Sequence, residues 1–381
     1  MTRIYIVRHC EAEGNIYRRA QGQYDGRVTP KGRAQIAALA ERFRDIPLDA
    51  VYSSDLRRAR ETAGAILKYH SLPLLTDIRL REWGIGSWED VPFGNLEKQS
   101  PEQLDRFNND PARFQAEGAE PWEALRSRIG QALRSIARRH PEGSAAVVSH
   151  GMAIRTLLAG IEGIPSAEIR RVGHGDNTSV SLVEAEDGRF RVVFANDVSH
   201  LSAALSTFAR QSWWREKTLT DRNNVSFQPL DPVRYPSRYL EFYQKTWAAA
   251  HGSLAGFHAS LYRDDAIRHV RVSPEALVTI VRPDGEAVGI IELDLERCAE
   301  QGVGWICLCY VEESCRRQLL GVQLIGHAVS VFRRRGFHAA QLCVYDKNLP
   351  ALRFYEANEF YPVGETSGAG GGRLLILEKA L

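Results

Sequence analysis

The segment MTRIYIVRHCEAEGN, residues 1–15, decides the fold of the first part of the chain. Its apolar and aromatic run Ile4–Val7 has the length and composition of a buried strand. Arg8 and His9 follow this run directly, and Asn15 comes six residues after the histidine. Ligands of open α/β sheets bind beyond the carboxyl ends of the strands. The segment therefore predicts a buried strand with a ligand site at its end.

Two later segments also place polar residues directly after an apolar strand. The run Ala50–Ser53 leads into a helix that carries Arg58, and the run Ala145–Ser149 leads into His150. Because the carboxyl ends of parallel strands meet at one edge of a sheet, we expect these side chains to join those that follow the first strand. Together they would form a positively charged pocket suited to a phosphate dianion. Its members are Arg8, His9, Arg58 and His150.

The composition is that of an ordinary soluble globular protein long enough for two domains. Of 381 residues, 44% are hydrophobic and 25% are charged, and the net charge of +2 argues against an extended nucleic-acid surface. The six cysteines include no CxxC pair, which predicts reduced thiols and neither disulfides nor a zinc site. The first strand begins at residue 3, which leaves no room for a signal peptide. No apolar run reaches the roughly 18 residues of a membrane span. We therefore expect a cytoplasmic protein without nucleic-acid or membrane partners.

Strands alternate with amphipathic helices up to about residue 205, which predicts an α/β sheet covered by helices. The first long helix has clear start signals, with Thr29 as N-cap and Pro30 in the first turn. The polar stretch that follows residue 205 lacks periodicity, and we expect it to connect two domains, with Trp213 and Trp214 docking it to one of them. The predicted boundaries are 1–205 for the first domain, 206–224 for the linker and 225–381 for the second domain.

The second domain has a different order of elements. Periodicity and turn signals predict helices at 236–250, 321–335 and 350–358, and strands at 277–282, 286–295, 304–311 and 340–345. A flexible turn at Gly368–Gly372 is expected before the last strand. The helix at Gly321 follows a basic turn, and a turn of this kind at a helix N-terminus can bind an anion.

Five segments of the first domain form an ordered set of motifs. In chain order they are VRHCEAEGN (7–15), QGQYDGRVTPKG (21–32), YSSDLRRARETA (52–63), LREWGIGSWED (80–90) and VVSHGMAIR (147–155). The set resembles the motifs of the histidine phosphatase superfamily, which includes the phosphoglycerate mutases. This resemblance implies a three-layer α/β/α sheet of the phosphoglycerate mutase type.

The resemblance assigns a role to each residue of the predicted pocket. His9 would be the nucleophile that accepts a phosphoryl group, and Glu82 would be the general acid that protonates the leaving alcohol and then activates water. No metal would be required, because fixed cations supply the positive charge. The catalytic set would be Arg8, His9, Arg58, Glu82 and His150, and the phosphate- and substrate-binding set would be Arg8, Asn15, Gln21, Gly22, Arg58 and His150.

Two residues depart from the pattern of this family. Cys10 stands where the family usually has glycine, and Asp90 stands where glycine commonly follows Trp-Glu. Glu89 is expected to stabilise a loop rather than to act as a second acid. Mutase-type phosphotransfer is the alternative to phosphomonoester hydrolysis. We favour hydrolysis because the segment Asp90–Pro141 is short and because residues 91–121 contain no second basic cluster for another phosphate group.

Two segments of the second domain carry a further resemblance. RRQLLGVQLI (316–325) is similar to the pyrophosphate-binding signature of the GNAT acetyltransferases, and NLPALRFYEANEF (348–360) is similar to their Asn-x-x-Ala-x-x-Phe-Tyr helix. The resemblance implies an α+β fold with a GNAT-like mixed sheet, acetyl-CoA as cofactor and an amine as acceptor. Leu319 replaces the first glycine of the signature. The implied cofactor-binding residues are Val311, Arg316, Arg317, Gln318, Leu319, Leu320, Gly321, Asn348 and Tyr355.

Three residues of the second domain are candidates for acid–base chemistry. The resemblance makes Tyr355 the group that protonates the departing thiolate. Glu292 and Asp294 share one face of a predicted strand, and either could deprotonate the amine. A solvated strand face is an equally strong alternative for these two carboxylates.

The sequence thus predicts a bifunctional enzyme that hydrolyses a phosphorylated small molecule and acetylates an amine. In one alternative the second domain is a non-catalytic module that binds CoA or forms a dimer, and Leu319 favours this alternative. In another the first domain only senses phosphate, and its complete set of catalytic residues argues against this. The fusion suggests two steps of one pathway. A homodimer is left open, and neither substrate is identified.

Overall fold

The computed structural model describes residues 1–211, 222–368 and 372–381. The chain forms two compact units, one of Met1–Val91 with Leu96–Asp221 and one of Pro92–Asn95 with Arg222–Leu381. The predicted docking of Trp213 and Trp214 and the centre of the glycine run at 368–372 lie outside the described residues. Among the helices that are described, none is long and apolar enough to cross a membrane.

Strands and helices alternate over most of residues 1–211. The strands are β1 (Thr2–Arg8), β2 (Ala50–Ser53), β3 (Leu74–Thr76), β4 (Ser144–Ser149), β5 (Val180–Glu186) and β6 (Arg189–Asp197). The helices are α1 (Glu13–Tyr17), α2 (Pro30–Phe43), α3 (Arg57–Ile66), α4 (Phe93–Gln99), α5 (Pro101–Asn109), α6 (Trp122–Arg139) and α7 (Gly151–Ile161). This alternation confirms the predicted α/β class.

The strands of the first unit form one sheet in the order β3-β2-β4-β1-β5-β6. β3, β2, β4 and β1 are parallel, whereas β5 runs antiparallel to both of its neighbours. The sequence predicted the parallel strands β1, β2 and β4 but neither β3 nor this antiparallel edge. α2 and α3 pack on one face around Val7, Val51 and Val148, and α7 contacts β1 and β6 and packs against α6. The sheet therefore lies between helices, as the three-layer prediction requires.

The local sequence explains why β1 and α2 form where they do. Successive side chains of a strand alternate between the faces of the sheet, and Ile4 and Val7 of β1 lie on opposite faces, both completely buried. Thr29 caps α2, because its hydroxyl oxygen accepts a hydrogen bond from the N–H of Gly32 at 2.9 Å. The apolar run of β1 thus places Arg8, its last residue, at the sheet edge where β4 also ends.

Residues 222–381 form a second mixed sheet. Its strands are β7 (Ser226–Pro229), β8 (Leu277–Val281), β9 (Ala287–Cys298), β10 (Val303–Val311), β11 (Ala339–Tyr345), β12 (Tyr361–Ser367) and β13 (Arg373–Ala380). The helices are α8 (Pro236–His251), α9 (Ala259–Val272), α10 (Leu320–Arg334) and α11 (Leu349–Ala357). The strand order is β12-β13-β11-β10-β9-β8-β7, and β10 and β11 are parallel whereas the other neighbours are antiparallel.

The parallel strands β10 and β11 pair over only the first part of their length. Their register runs from Val303 opposite Ala339 to Ile306 opposite Leu342, and no later pair joins them among the described residues. A β-bulge at the same level interrupts the pairing of β10 with β9, so that Cys307 has no partner there. The two parallel strands therefore part at Cys307 and leave a gap in the sheet.

The structure adds elements that the sequence analysis did not identify. The predicted helices at 236–250, 321–335 and 350–358 correspond to α8, α10 and α11, and the four predicted strands correspond to β8, β9, β10 and β11. Helix α9 and the strands β7 and β12 were missed. α9 spans ASLYRDDAIRHVRV, in which charged residues interrupt the apolar face, so its periodicity is weak.

The start of the predicted linker belongs to the first unit. The ammonium group of Lys31 donates to the carbonyl oxygen of Ser206 at 2.6 Å, and the hydroxyl group of Thr207 donates to the carboxylate of Glu11 at 2.9 Å. These bonds fix the segment between residue 205 and residue 211, which was predicted as part of a free connection. The polar composition predicted a linker here, whereas hydrogen bonds of polar side chains attach this segment to the first unit.

Candidate active sites

β1 and β4 bring two histidines to the same point of the sheet edge. Arg8 lies opposite Ser149 in the parallel register, and the N–H of His9 donates to the carbonyl oxygen of Ser149 at 2.9 Å. His150 follows directly as the N-cap residue of α7. The ring centroids of His9 and His150 lie 5.1 Å apart. Strand pairing thus joins two residues that are distant in the sequence.

His9 is buried as a neutral imidazole of one defined tautomer. Its Nδ1 atom lies 2.7 Å from the carbonyl oxygen of Cys10. A carbonyl oxygen can only accept, so Nδ1 carries the proton and Nε2 keeps its lone pair. Burial, and the charges of Arg58 and Arg8, lower the pKa of His9 well below its usual value. The Nε2 atom of His9 therefore has the electronic state of a nucleophile.

Arg58 is the completely buried cation of this site, whereas its neighbour Arg57 is exposed and pairs with Glu61. The Nη1 and Nη2 atoms of Arg58 donate to the carbonyl oxygens of Tyr24 and Gly22 at 2.8 and 2.7 Å. Burial lowers the pKa of Arg58 to about 10, so the group stays charged at neutral pH.

Arg8 provides a second guanidinium group near Arg58. Its Nη1 atom donates to the carbonyl oxygen of Gly175 at 2.5 Å. Burial lowers the pKa of Arg8, and the carboxylates of Asp176 and Glu82 counteract this effect. Both arginines thus donate hydrogen bonds to backbone carbonyls, and among the described residues the nearest carboxylate to Arg58 is that of Asp25, at 3.9 Å from Nη1.

Buried nitrogen atoms of these side chains have no hydrogen-bond partner among the described residues. They are Nε of Arg8, Nε of Arg58, and Nδ1 and Nε2 of His150. A buried polar atom without a partner is costly, so a group of such atoms indicates a ligand that supplies acceptor oxygens. His150 is 0% exposed, and burial together with the charge of Arg58 lowers its pKa well below its usual value.

Glu82 lies at the N-terminus of α7 and is held by backbone amides. Its Oε1 atom accepts from the N–H groups of Trp83 at 2.9 Å and Ala153 at 2.8 Å, and its Oε2 atom accepts from Met152 at 3.0 Å. A carboxylate oxygen has two lone pairs, so Oε1 is saturated. Among the described residues no second donor contacts Oε2. This oxygen can therefore carry a proton that the site gains or releases.

Glu89 supports the loop that holds Arg58, as predicted, and does not join the acid–base group. Its carboxylate accepts hydrogen bonds from the N–H groups of Gly22, Gln23 and Tyr24 at 2.8–3.2 Å. A Cβ atom on Gly22 would lie 2.3 Å from this carboxylate, so glycine is required for the close approach. The N–H groups of the loop thus bind Glu89, and the carbonyl oxygens of the loop bind Arg58.

The other two predicted binding residues have bonds within the protein. The Oδ1 atom of Asn15 accepts from the N–H of Ala12 at 2.9 Å, which caps α1 and leaves the side-chain NH₂ group as the donor for a ligand. The Nε2 atom of Gln21 makes a long contact of 3.5 Å to the carbonyl oxygen of Tyr24.

The structure accommodates both departures from the family pattern. Asp90 adopts the left-handed conformation, with a φ of 61°, and accepts a hydrogen bond from Nε of Arg19 at 2.6 Å. Aspartate is one of the side chains that tolerate this conformation. Cys10 is completely buried, and its sulfur lies 4.0 Å from the carbonyl oxygen of Arg58. Burial raises the pKa of the Cys10 thiol to about 12.

Several residues that support the site were missed in the sequence. The Nδ2 atom of Asn177 donates to the carbonyl oxygen of His9 at 3.0 Å, and an Nη2–H group of Arg128 donates to that of Glu82 at 2.8 Å. The polar run HGDNTS at 174–179 was the available signal for Asn177. Nothing in the sequence distinguishes Arg128 from the other arginines of α6.

The turn before α10 has a backbone suited to anions. Arg317 and Leu319 have left-handed φ angles of 60° and 63°, and such residues in a turn make neighbouring N–H groups converge. The first N–H groups of α10 also lack partners within the helix. Leu319 thus adopts the conformation for which the signature uses glycine, so the replacement keeps the shape of the turn. These donors, with the exposed Arg316 beside them, fit the pyrophosphate of acetyl-CoA.

The remaining predicted cofactor residues lie around this turn. Gln318 accepts from Nη2 of Arg282 at 2.8 Å, and the carbonyl oxygen of Val311 lies 3.3 Å from Nε of Arg316. A Cβ atom on Gly321 would lie 3.0 Å from the ring of Phe354, so glycine lets α11 pack close to the turn. Leu320 is buried, and Asn348 caps α11 by accepting from the N–H of Ala351 at 3.2 Å.

Tyr355 of α11 is buried next to the gap between β10 and β11. Its hydroxyl group lies close to the thiol of Cys309, which is on the part of β10 that β11 leaves unpaired. Burial raises the pKa of Tyr355 well above its usual value. The phenol therefore keeps its proton at neutral pH, as a proton donor must.

Glu292 and Asp294 share one strand face, as predicted, and both contact a histidine that the sequence analysis missed. Nδ1 of His269 lies 2.8 Å from Glu292, and its Nε2 lies 3.2 Å from Asp294. Because carboxylates accept, both ring nitrogens carry protons. Burial lowers the pKa of His269, but the two carboxylates outweigh it and raise the pKa overall. Glu292 is 1% exposed and also accepts from Tyr239 at 2.9 Å, so it lies behind His269.

We expect His9 to remain neutral at about pH 6, where an ordinary histidine is largely protonated. Its ring is buried between two arginines, and both effects oppose a further charge. Nitrogen-15 NMR of histidine-labelled protein, with His9→Gln to assign the signal, should show the tautomer protonated at Nδ1. A doubly protonated ring at that pH would contradict this description of the site.

His269→Gln should destabilise the second unit more at about pH 6 than at about pH 9. The raised pKa of His269 means that its stabilising charge is complete below the ordinary histidine pKa of about 6.5 and is lost as pH rises through the raised value. Hydrogen exchange of β9, corrected for the intrinsic rate at each pH, measures the difference. The exposed His258 at the start of α9 provides the control variant His258→Gln. Equal destabilisation at both pH values would mean that no buried imidazolium is present.

Comparisons with known proteins place both units in families. The family model of the Histidine phosphatase superfamily (branch 1) matches residues 4–198, and that of the Acetyltransferase (GNAT) family matches residues 232–360. A curated relative from Shigella boydii serotype 18, named "Probable phosphoglycerate mutase GpmB", is 33% identical over 209 residues, which are 53% of this chain and 96% of the relative. The Escherichia coli K12 protein of the same name matches to the same extent.

A solved structure agrees with the sequence relatives. Bacillus stearothermophilus YhfR is 32% identical, with a TM-score of 0.51 over 52% of this chain and 99% of its own. All three relatives cover only about half of the chain, which corresponds to the extent of the first family model. The chain therefore belongs to the histidine phosphatase superfamily (branch 1), and it joins a domain of that family to a GNAT acetyltransferase domain.

Proposed function

We propose that the first domain hydrolyses a phosphomonoester through a covalent phosphohistidine on His9. The observation that carries the proposal is the set of buried nitrogen atoms without partners on Arg8, Arg58 and His150. A phosphoryl group offers several acceptor oxygens and negative charge, so it matches both the donors and the positive charge of the two guanidinium groups.

In the first step, Nε2 of His9 forms a bond to phosphorus while the bond from phosphorus to the alcohol oxygen breaks. Arg8, Arg58 and His150 hold the other phosphate oxygens, and the NH₂ group of Asn15 is a further donor. The departing oxygen takes its proton from Oε2 of Glu82. The Nδ1–H of His9 keeps its hydrogen bond to the carbonyl oxygen of Cys10, so the ring keeps its orientation as positive charge develops on it.

In the second step, water replaces the histidine on phosphorus. Glu82, now a carboxylate, accepts the proton of the water at Oε2, and the nitrogen–phosphorus bond returns its electron pair to Nε2 of His9. Inorganic phosphate leaves, and Glu82 is again protonated. The amides of Trp83, Met152 and Ala153 hold the carboxyl group in place through both steps.

Mutase-type phosphotransfer is the second candidate, because the curated relatives are named probable phosphoglycerate mutases. A mutase must also hold the second anionic group of its substrate. Between residues 91 and 141, Arg106 pairs with Glu102 and Arg128 pairs with Glu120. Arg106 and Arg128 are thus engaged within the protein and less available to a second anionic group, which supports hydrolysis. Incubation with 3-phosphoglycerate separates the reactions, since a mutase yields 2-phosphoglycerate and a phosphatase yields inorganic phosphate.

We further propose that the second domain transfers an acetyl group from acetyl-CoA to an amine. The turn at Arg316–Gly321 would hold the pyrophosphate, and bound acetyl-CoA would supply the acetyl thioester. Tyr355 holds a proton beside the gap in the sheet and would give it to the departing thiolate. Asp294 lines a cavity beside α9 and would accept the proton of the amine. Glu292 is buried behind His269 and only positions that ring.

Brief exposure to a phosphomonoester followed by rapid quenching should leave an acid-labile phosphate on His9. We expect the label to form in the presence of EDTA, because Arg8, Arg58 and His150 provide the positive charge that a metal would otherwise supply. Mass spectrometry locates the label, His9→Ala should abolish it, and His70→Ala is the control. A label that persists in His9→Ala, or that needs a divalent ion, would exclude the proposal.

Glu82→Gln should slow the hydrolysis of an alkyl phosphate by roughly 10²–10⁴-fold, because the leaving alkoxide then lacks its proton donor. The loss should be smaller for p-nitrophenyl phosphate, whose leaving group departs without a proton. Initial rates on both substrates give the comparison, and Glu162→Gln, at the exposed opposite end of α7, is the control. An equal loss on both substrates would assign Glu82 a structural role only.

Tyr355→Phe should leave the Kd for acetyl-CoA unchanged and slow acetyl transfer at least about tenfold, because it removes the proton and not the binding surface. Gly321→Pro should weaken binding, since it removes an N–H group from the turn. Isothermal titration of the full chain gives both Kd values, and Leu319→Gly, which keeps the turn, should bind at least as well as the unchanged protein. No binding at millimolar acetyl-CoA would favour a domain without this activity.

A further inference from the structure

A cavity of about 440 Å³ opens on the face of the second sheet that packs against α9. Its volume lies within the roughly 300–1,000 Å³ typical of small-molecule sites. Side chains of α9 and of the end of β9 line it: Asp265, Arg268, His269, Asp294, Glu296 and Arg297. The lining is thus almost entirely ionisable, which excludes an apolar ligand.

The cavity reaches the place where β10 and β11 part. Cys307, the bulged residue of β10, completes its lining. Cys309, whose thiol lies close to the hydroxyl group of Tyr355, follows two residues later, a separation of roughly 7 Å along a strand. A molecule in the cavity therefore lies next to the gap, and Tyr355 lies at the same gap. This is the position that an acceptor must occupy if acetyl transfer takes place there.

Most charged groups of the lining are already engaged with one another. Arg268 donates to Asp265 at 2.9 Å, and Asp294 is fixed by His269 and by the N–H groups of residues 296 and 297 at 3.0 Å. Glu296 and Arg297 differ from these groups. Both are exposed, and within residues 222–368 and 372–381 neither forms an ion pair.

Arg297 is positioned by an aromatic ring and not by a carboxylate. Its guanidinium group lies over the ring of Trp305, 3.8 Å from the centroid, so the aromatic face orients it and leaves its N–H groups directed at other acceptors. Glu296 next to it offers a carboxylate to a positive group. The cavity thus presents one uncommitted anion and one uncommitted cation.

We propose that this cavity is the acceptor site and that it takes a small primary amine that also carries an anionic group, either a carboxylate or a phosphate. The ammonium end lies toward Glu296 and Asp294, and the anionic end lies on Arg297 with Arg268 beside it. A polyamine is disfavoured by the two arginines, and a simple anion is disfavoured by the carboxylates. The arginines also oppose a divalent cation at His269, Asp294 and Cys307, although their ligand atoms lie within 4.8 Å of one another. The proposal rests on the proposed acetyl transfer for its site of reaction.

Matched probes test this class of acceptor on the full chain. 4-Aminobutanoate and 3-aminopropyl phosphate carry both charges, butylamine carries only the amine, butyrate carries only the anion, and spermidine is a polycation. Isothermal titration measures binding, and mass spectrometry of the acetylated product in the presence of acetyl-CoA measures transfer. We expect one or both of the two zwitterionic probes to bind and react at least about tenfold better than butylamine and spermidine, the better of the two identifying the anionic group.

Arg297→Gln should remove this preference. Its KM for the better zwitterionic probe should rise about tenfold while the rate with butylamine stays within about twofold, because only the anionic end loses a partner. Arg271→Gln, on an exposed position of α9 outside the cavity, should leave both unchanged. Glu296→Gln should weaken binding of amines and not of butyrate.

The outcomes separate this proposal from the acetyl-transfer proposal. If acetyl-CoA binds and butylamine reacts as well as the zwitterions in the unchanged protein, the acceptor class is wrong and acetyl transfer stands. If no probe is acetylated and acetyl-CoA does not bind, the acetyl-transfer proposal is wrong. Titration with the zwitterions alone then shows whether the cavity binds this class of molecule. Absence of heat with both zwitterions overturns the site in either case.

Discussion

The first domain depends on one constraint, which is the burial of Arg8, Arg58 and His150 at one sheet edge. Nitrogen atoms of all three side chains have no hydrogen-bond partner among the described residues. Arg58 is fixed by the carbonyls of Gly22 and Tyr24, and the amides of the same loop are fixed by Glu89. Neither anchor would hold the loop alone, because each satisfies a different set of backbone groups. The loop, the buried arginine and the carboxylate are therefore one structural unit, and a change in any of them reaches the others.

The same positive field explains the neutral state of the histidines. A cationic imidazole next to Arg8 and Arg58 would be repelled by their charges and would also lose its hydration. His9 and His150 therefore remain uncharged. The second domain uses the opposite arrangement, in which His269 is enclosed by Glu292 and Asp294 and carries a charge. The environment, and not the residue type, decides which histidine is neutral and which carries a fixed charge.

The sequence predicted the elements that depend on local pattern and failed where distant residues cooperate. Apolar runs and capping residues such as Thr29 located the strands and helices, and motif order located His9, Arg58, Glu82 and His150. The support of the first site by Arg128 depends on tertiary contacts that leave no local signal, whereas a polar run was the only signal for Asn177. His269 was missed for the same reason, since it lies on a helix with weak periodicity and acquires its role only from two carboxylates on another element. Leu319 shows the converse case, because a residue that looked incompatible with the turn adopts the left-handed conformation.

Cys10 lies directly beside His9, and its burial has a consequence for how the first site tolerates oxidants. Oxidation and alkylation of cysteine proceed through the thiolate. With a pKa raised to about 12 and no exposed surface, the Cys10 thiol provides almost no thiolate at neutral pH. The sulfur of Cys10 is therefore unreactive toward peroxide and thiol reagents, and the first site does not become sensitive to redox conditions through this residue.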